Sequence, residues 1–175
     1  MTTTQADYLI GLKKKIIIDG EVADEITLDQ KYPLRLRYEL VSPDDDEFSF
    51  LWQITQSSKD ELRVSLHYQE DAGNIGLFRV DYNSGHKNPA LATENLPEKF
   101  KPYIGKKFDN TESHVHYFVE GYKPLVWAVP IVDTALRETN YTDKENLYNK
   151  LAICISEFAK FVNIETKIHI NQMLL

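Results

Sequence analysis

Cysteine is almost absent: Cys154 stands alone among 175 residues, so the chain can form neither an intrachain disulfide nor a cysteine zinc cluster. Cys154 falls on the apolar stripe of an expected helix, where a buried core thiol is the ordinary outcome rather than an activated nucleophile. Long apolar runs are also missing. The most apolar stretch, Leu125 to Val132, is broken by Pro130 and is far shorter than the roughly 20 residues of a membrane-crossing helix. An excess of positive charge is absent as well: 20 Lys and Arg stand against 27 Asp and Glu, a net charge of -7. That balance excludes a protein that coats DNA or an anionic membrane. Residues 1–15 place Thr2, Thr3, Thr4 and Gln5 before a short apolar patch and only then Lys13, Lys14 and Lys15. A secretory signal has the reverse order, so the expectation is a cytoplasmic protein with no membrane partner. Repeats, low-complexity segments and Pro- or Gly-rich linkers are lacking too.

What is present reads as a globular chain. Hydrophobic residues make up 42% and charged residues 27%, and a chain of this length removes roughly 70% of its unfolded surface from water without needing staples. Alternation of apolar and polar residues dominates the first two-thirds. Leu34, Leu36, Tyr38 and Leu40 oppose Arg35, Arg37 and Glu39, and Phe48 to Thr55 forms a more apolar run. Leu62 to Tyr68 and Ile75 to Tyr82 flank Glu-Asp-Ala-Gly-Asn at 70–74, which is turn chemistry, so they predict an antiparallel hairpin. Pro89, Pro97 and Pro102 keep 83–105 irregular. Val115, Tyr117 and Val119 alternate on another strand, and Tyr122 to Ile131 is one more. Thr142 to Glu145 reads as a capping box that opens a helix through Leu147, Leu151, Cys154, Ile155, Phe158 and Val162. Residues 164–175 are a final short strand or tail. The expected fold is α+β: a mainly antiparallel sheet packed by one C-terminal helix, a single domain over 1–175. Lys13 to Ile18 reads as an edge strand guarded by its lysines, or as a nucleic-acid contact.

Four of five histidines, His67, His86, His114 and His116, fall within 50 residues of one another; His169 lies apart. His114-Val-His116 on a strand puts both rings on one face, and Arg79 and Asp81 share a face by the same alternation. Three readings of this set remain open. In the first, His86, His114 and His116 hold a metal with Asp81 or Glu120. The later histidine segment of a cupin is absent, because no histidine occurs between 117 and 168. In the second, histidines act as general acid and base on a phosphodiester while Arg79 or Lys87 stabilises the phosphorane. The His-x-Ser or His-x-Thr pairs of two-histidine phosphoesterases are missing, so any nuclease here is of another type. In the third, the histidines are structural, bonded to one another, to Asp81 and to turn amides.

Local charge bears on the choice. Lys87, Lys99, Lys101, Lys106 and Lys107 stand against Glu94 and Glu98 in the segment 83–107, with Tyr82, Phe100, Tyr103 and Phe108 beside them. Basic residues interleaved with rings suit an RNA strand. Asp44 to Glu47 is an acidic run that reads as an exposed loop and lacks the spacing of a calcium loop. It is also the surface a basic protein partner would engage.

Asp81, Asn83, Gly85 and His86, followed by His114-Val-His116 and an aromatic-rich closing helix, resemble in layout the TumE-type toxins of prokaryotic toxin–antitoxin loci. The resemblance implies a small α+β toxin-like fold, a ribonuclease activity and a cognate antitoxin. The sequence departs from that layout in its longer N-terminal sheet and its acidic charge. The resulting expectation is a toxin- or defence-associated ribonuclease that uses no metal and no cofactor. His86, His114, His116 and Asp81 are the candidate catalytic residues, and Arg79, Lys87, Asn88 and Tyr117 the candidate substrate-binding ones. RNA and a cognate protein are the candidate partners. The alternative is a non-catalytic binding module that uses Asp44 to Glu47 or a Leu34–Leu40 sheet edge.

Overall fold

A computed structural model of the chain describes residues 1–29, 31–136 and 147–171. The chain opens with helix α1 (Thr3–Gly11), then strands β1 (Lys15–Ile18), β2 (Glu21–Ala23), β3 (Glu25–Asp29), β4 (Arg35–Val41), β5 (Ser49–Gln56), β6 (Val64–Glu70) and β7 (Ile75–Tyr82). A long excursion carries the two-residue strands β8 (His86–Lys87) and β9 (Lys107–Phe108). Then come β10 (His114–Tyr117), β11 (Trp127–Pro130), helix α2 (Leu147–Phe161) and β12 (Lys167–Asn171). One eight-stranded sheet runs β11-β10-β7-β6-β5-β4-β1-β2, every neighbouring pair antiparallel. Two small pairings accompany it: β3 with β12, parallel, and β8 with β9, antiparallel.

The strands follow the alternation. In β4, Leu36, Tyr38 and Leu40 turn towards the core while Arg35, Arg37 and Glu39 are exposed. Trp52, Ile54, Leu66, Tyr68, Phe78, Val80 and Val115 are fully buried on the central strands. Phe158 of α2 lies against the same face, its ring nearly parallel to Trp52 with centroids 6.2 Å apart. Phe161 stacks on Phe78 at 4.4 Å. Burying rings of this size stabilises by about 1.5–3 kcal/mol each, so this seam anchors the sheet. The proposed capping box at 142–145 lies outside the described residues.

The N-terminal region departs from expectation. Residues 3–11 form α1, started by a reciprocal cap in which Thr2 Oγ1 accepts from the Gln5 amide at 3.1 Å and Gln5 Oε1 accepts from the Thr2 amide at 2.8 Å. Strand β1 is not an edge: it lies between β4 and β2. Lys13 and Lys15 reach outward to Glu165 and Asp24, but Lys14 is wholly buried. Its Nζ donates to the carbonyls of Ile10 (2.6 Å), Leu12 (2.6 Å) and Val162 (2.8 Å), where α1 and α2 end. The Leu34–Leu40 segment is likewise no edge, since β4 is paired with β5 and β1. Among the described residues, no helix is long and apolar enough to cross a membrane.

Candidate functional site

Antiparallel register assembles the site. Asp81 on β7 stands opposite Ser65 on β6 and His114 on β10, while Arg79 stands opposite His67 and His116. Two cross-strand rows, Ser65–Asp81–His114 and His67–Arg79–His116, therefore share the face turned away from Phe78, Val80 and α2. The β8–β9 ribbon, with His86 paired to Phe108, lies over them. The ring of His86 sits 4.5 Å from His116 and 5.6 Å from His114, and those two are 4.7 Å apart. Phe108 packs on His114 at 4.5 Å.

Asp81 is the charge centre. Its Oδ1 accepts from the Ser65 hydroxyl at 2.6 Å. Its Oδ2 lies 3.0 Å from Arg79 Nε, 3.1 Å from His116 Nε2 and 3.8 Å from His114 Nε2. Burial pushes its pKa up, but the Arg79 guanidinium and the Ser65 hydroxyl outweigh burial and hold the carboxyl well below the usual carboxylate range. Arg79 forks across the cluster, with Nη2 reaching His116 Nε2 at 2.9 Å. Its Nε pairs with Asp81 by charge, without the N–H being aimed at the oxygen.

Hydrogen-bond partners assign the tautomers. His116 Nδ1 lies 2.8 Å from the Leu125 carbonyl, which only accepts, so Nδ1 carries the hydrogen and Nε2 offers a lone pair. His86 Nε2 faces two acceptors, Val126 O at 3.0 Å and Asn88 Oδ1 at 3.2 Å. Its Nδ1 is therefore the basic nitrogen and has no hydrogen-bond partner among the described residues. Burial lowers His86 below its ordinary value, so this ring is neutral at pH 7. His114 is fully buried and neither ring nitrogen has a hydrogen-bond partner. Burial first, then the neighbouring His116, pushes it down to about 3, with the Asp81 carboxylate and, more weakly, the Glu112 carbonyl pulling the other way.

The sequence-derived residues separate into groups. Asp81, Arg79, His86, His114 and His116 converge. Lys87 is exposed on β8, beside a surface hollow of about 360 Å³ lined by Gly85, His86, Lys107, Phe108 and Asn110. Asn88 is buried and saturated: Nδ2 donates to Tyr103 O and Ala128 O, while Oδ1 accepts from the Ala128 amide. It clamps the outer edge of β11 and has no group left for substrate. Asn88→Ala leaves those three backbone groups unpaired, and should cost about 2–4 kcal/mol in urea unfolding. Tyr117 points to the opposite face, against Phe78 and Phe100, as strict alternation from His116 requires. Glu120 is exposed and its amide is bound to Thr3, away from the cluster; His169 pairs with Glu25. Sequence reasoning missed Ser65 and the Leu125 carbonyl, and it assigns Phe108 to stacking on bases, whereas the ring is buried against His114. Ser65 was within reach, because folding the 62–82 hairpin about its turn sets it across from Asp81.

Fold and site together define an α+β protein built on a broad antiparallel sheet, with a buried Asp–Arg–His cluster under a short ribbon. The chain belongs to a family of unknown function (DUF6978), whose family model matches residues 1–164 and so spans every residue of the cluster. No curated protein and no solved structure matches the chain.

Proposed function

We propose that the protein cleaves RNA phosphodiester bonds by side-chain acid/base chemistry, in a toxin or defence role, with His86 as the base. The observation that carries this is the state of His86. It is the one ring of the three-histidine cluster that reaches the surface hollow, and its Nδ1 is unprotonated and unengaged. In this reading Nδ1 takes the proton of a ribose 2′-hydroxyl and the resulting oxygen attacks phosphorus. The 5′-oxygen leaves with a proton from water in the hollow, giving a cyclic phosphate. Lys87 and Lys107, opposite each other in the ribbon, meet the phosphate charge. His114 and His116 hold the His86 ring and Arg79 rather than move protons themselves, since both are sealed from solvent.

Helix α2 serves as the backing of β7 behind the site, through Phe158 and Phe161 against Phe78. The setting is the cytoplasm, with RNA as substrate and a cognate protein as neutraliser. The test is cleavage of a panel of single-stranded and structured RNAs by untagged protein. His86→Ala should lose at least about 100-fold in rate while unfolding within about 1 kcal/mol of wild type, as suits a half-exposed ring. Cleavage by His86→Ala at the wild-type rate, or none by wild type on any RNA, overturns the reading.

A further inference from the structure

We infer that Asp81, His114 and His116 form a binding site for one divalent transition-metal ion, zinc being the best fit, and that Arg79 occupies the ion's position when the metal is away. The inference does not rest on RNA cleavage: His86 is outside the ligand set, and what carries it is how three buried groups face one another and the Arg79 guanidinium.

Asp81 Oδ2, His114 Nε2 and His116 Nε2 all lie within 4.8 Å of one another, with Oδ2 3.1 Å from His116 and 3.8 Å from His114. Ligand atoms about 2.0–2.2 Å from a tetrahedral zinc are roughly 3.3 Å apart, so small side-chain shifts close the set around one ion. Each ligand is also aimed from behind. The Leu125 carbonyl takes the His116 Nδ1 hydrogen and thereby leaves Nε2 as a lone pair directed inward. The Ser65 hydroxyl takes Oδ1 of Asp81 and leaves Oδ2 to the cluster. Outer contacts of this kind orient the ligands of metal sites.

His114 supplies the second, independent observation. Its ring is fully buried with neither nitrogen bonded, whereas buried polar atoms are almost always partnered. A metal at Nε2 gives that nitrogen a partner, which no described side chain does.

Arg79 explains why the acceptors do not repel one another. Its guanidinium lies 3.0 Å from Asp81 Oδ2 and 2.9 Å from His116 Nε2, a cation between two acceptors. It cannot remain there beside a dication. Its side chain is 31% exposed, so it has a path to solvent. Two imidazoles and one carboxylate suit zinc or its first-row neighbours; calcium and magnesium favour all-oxygen shells. The fourth position falls to water.

The test is zinc binding by chelator-stripped, untagged full-length protein, followed by elemental analysis, calorimetry and the visible spectrum of the cobalt(II) form. Wild type should take up about one ion per chain, and His114→Phe, which keeps the ring volume, should weaken binding by at least about 100-fold. Arg79→Ala should tighten it by about tenfold, because the competing cation is gone. That gain has the opposite sign to any folding defect, so it decides the matter even if His114→Phe is unstable. No stoichiometric uptake by folded wild type, unchanged affinity in His114→Phe, or no gain in Arg79→Ala overturns the inference. Metal binding without RNA cleavage would leave it standing and remove only the proposed activity.

Discussion

Lys14→Met should destabilise the protein by about 3–5 kcal/mol, lowering the thermal midpoint by about 10 °C. Methionine fills the volume but donates nothing. The carbonyls of Ile10, Leu12 and Val162, which end two helices, would then be sealed from water without partners. The ammonium also lies 5.0 Å above the Tyr68 ring and 5.5 Å above Phe50, contacts that vanish with the charge. A variant as stable as wild type would mean that the cost of burying the ammonium cancels everything it gains.

The same lysine should give stability a pH dependence of definite sign. Burial pulls Lys14 from its ordinary 10.5 down to about 7. Between those values the unfolded chain holds a proton that the folded chain releases, so stability rises with pH across the window and is lowest below it. Each unit of separation is worth about 1.4 kcal/mol, so the rise across the window is on the order of several kcal/mol. Tyr68, whose ring lies under the ammonium, is pushed upward by burial and stays protonated throughout. Urea unfolding of wild type against Lys14→Met should show the gap between them widening from pH 7 to pH 10; a constant gap refutes the shift.

The second large effect is expected at Asp81. Asp81→Ala strips the counter-charge from Arg79 and the acceptor from Ser65, and should cost about 2–4 kcal/mol. Arg79 can partly recover by turning to solvent, which keeps the value below that of a fully sealed pair. Combining it with Arg79→Met should cost less than the sum of the two single changes by at least about 1 kcal/mol, since the double variant leaves no orphaned charge. Additivity within about 0.5 kcal/mol would show that the pair is not energetically coupled.

Alternation made the central hairpin readable: Leu62 to Tyr68 and Ile75 to Tyr82 pair about their turn as β6 and β7. It also put His114 and His116 on one face and Arg79 with Asp81 on one face. The same alternation turns Tyr117 away from both histidines and onto Phe78 and Phe100, so it cannot share a substrate with them. The capped helix at Thr3–Gly11 carried its Thr-x-x-Gln signature in plain view.

Lys14 was not legible, because nothing local distinguishes it from Lys13 and Lys15. Three consecutive lysines differ only in where the ends of two helices, roughly 150 residues apart in sequence, come to rest. Asn88 was read as a ligand-binding residue for the same reason: its partners, Tyr103 and Ala128, are distant in sequence, and only their arrival uses up its amide.

By itself, then, the sequence determined the sheet, its buried face and which side chains share a face, because a period of two in hydrophobicity is written residue by residue. Only the tertiary structure decided that two such faces meet across β7 and β10, that the β8–β9 ribbon closes over them, and which polar groups are sealed from water. Those outcomes depend on long-range register and desolvation, and no local pattern encodes either.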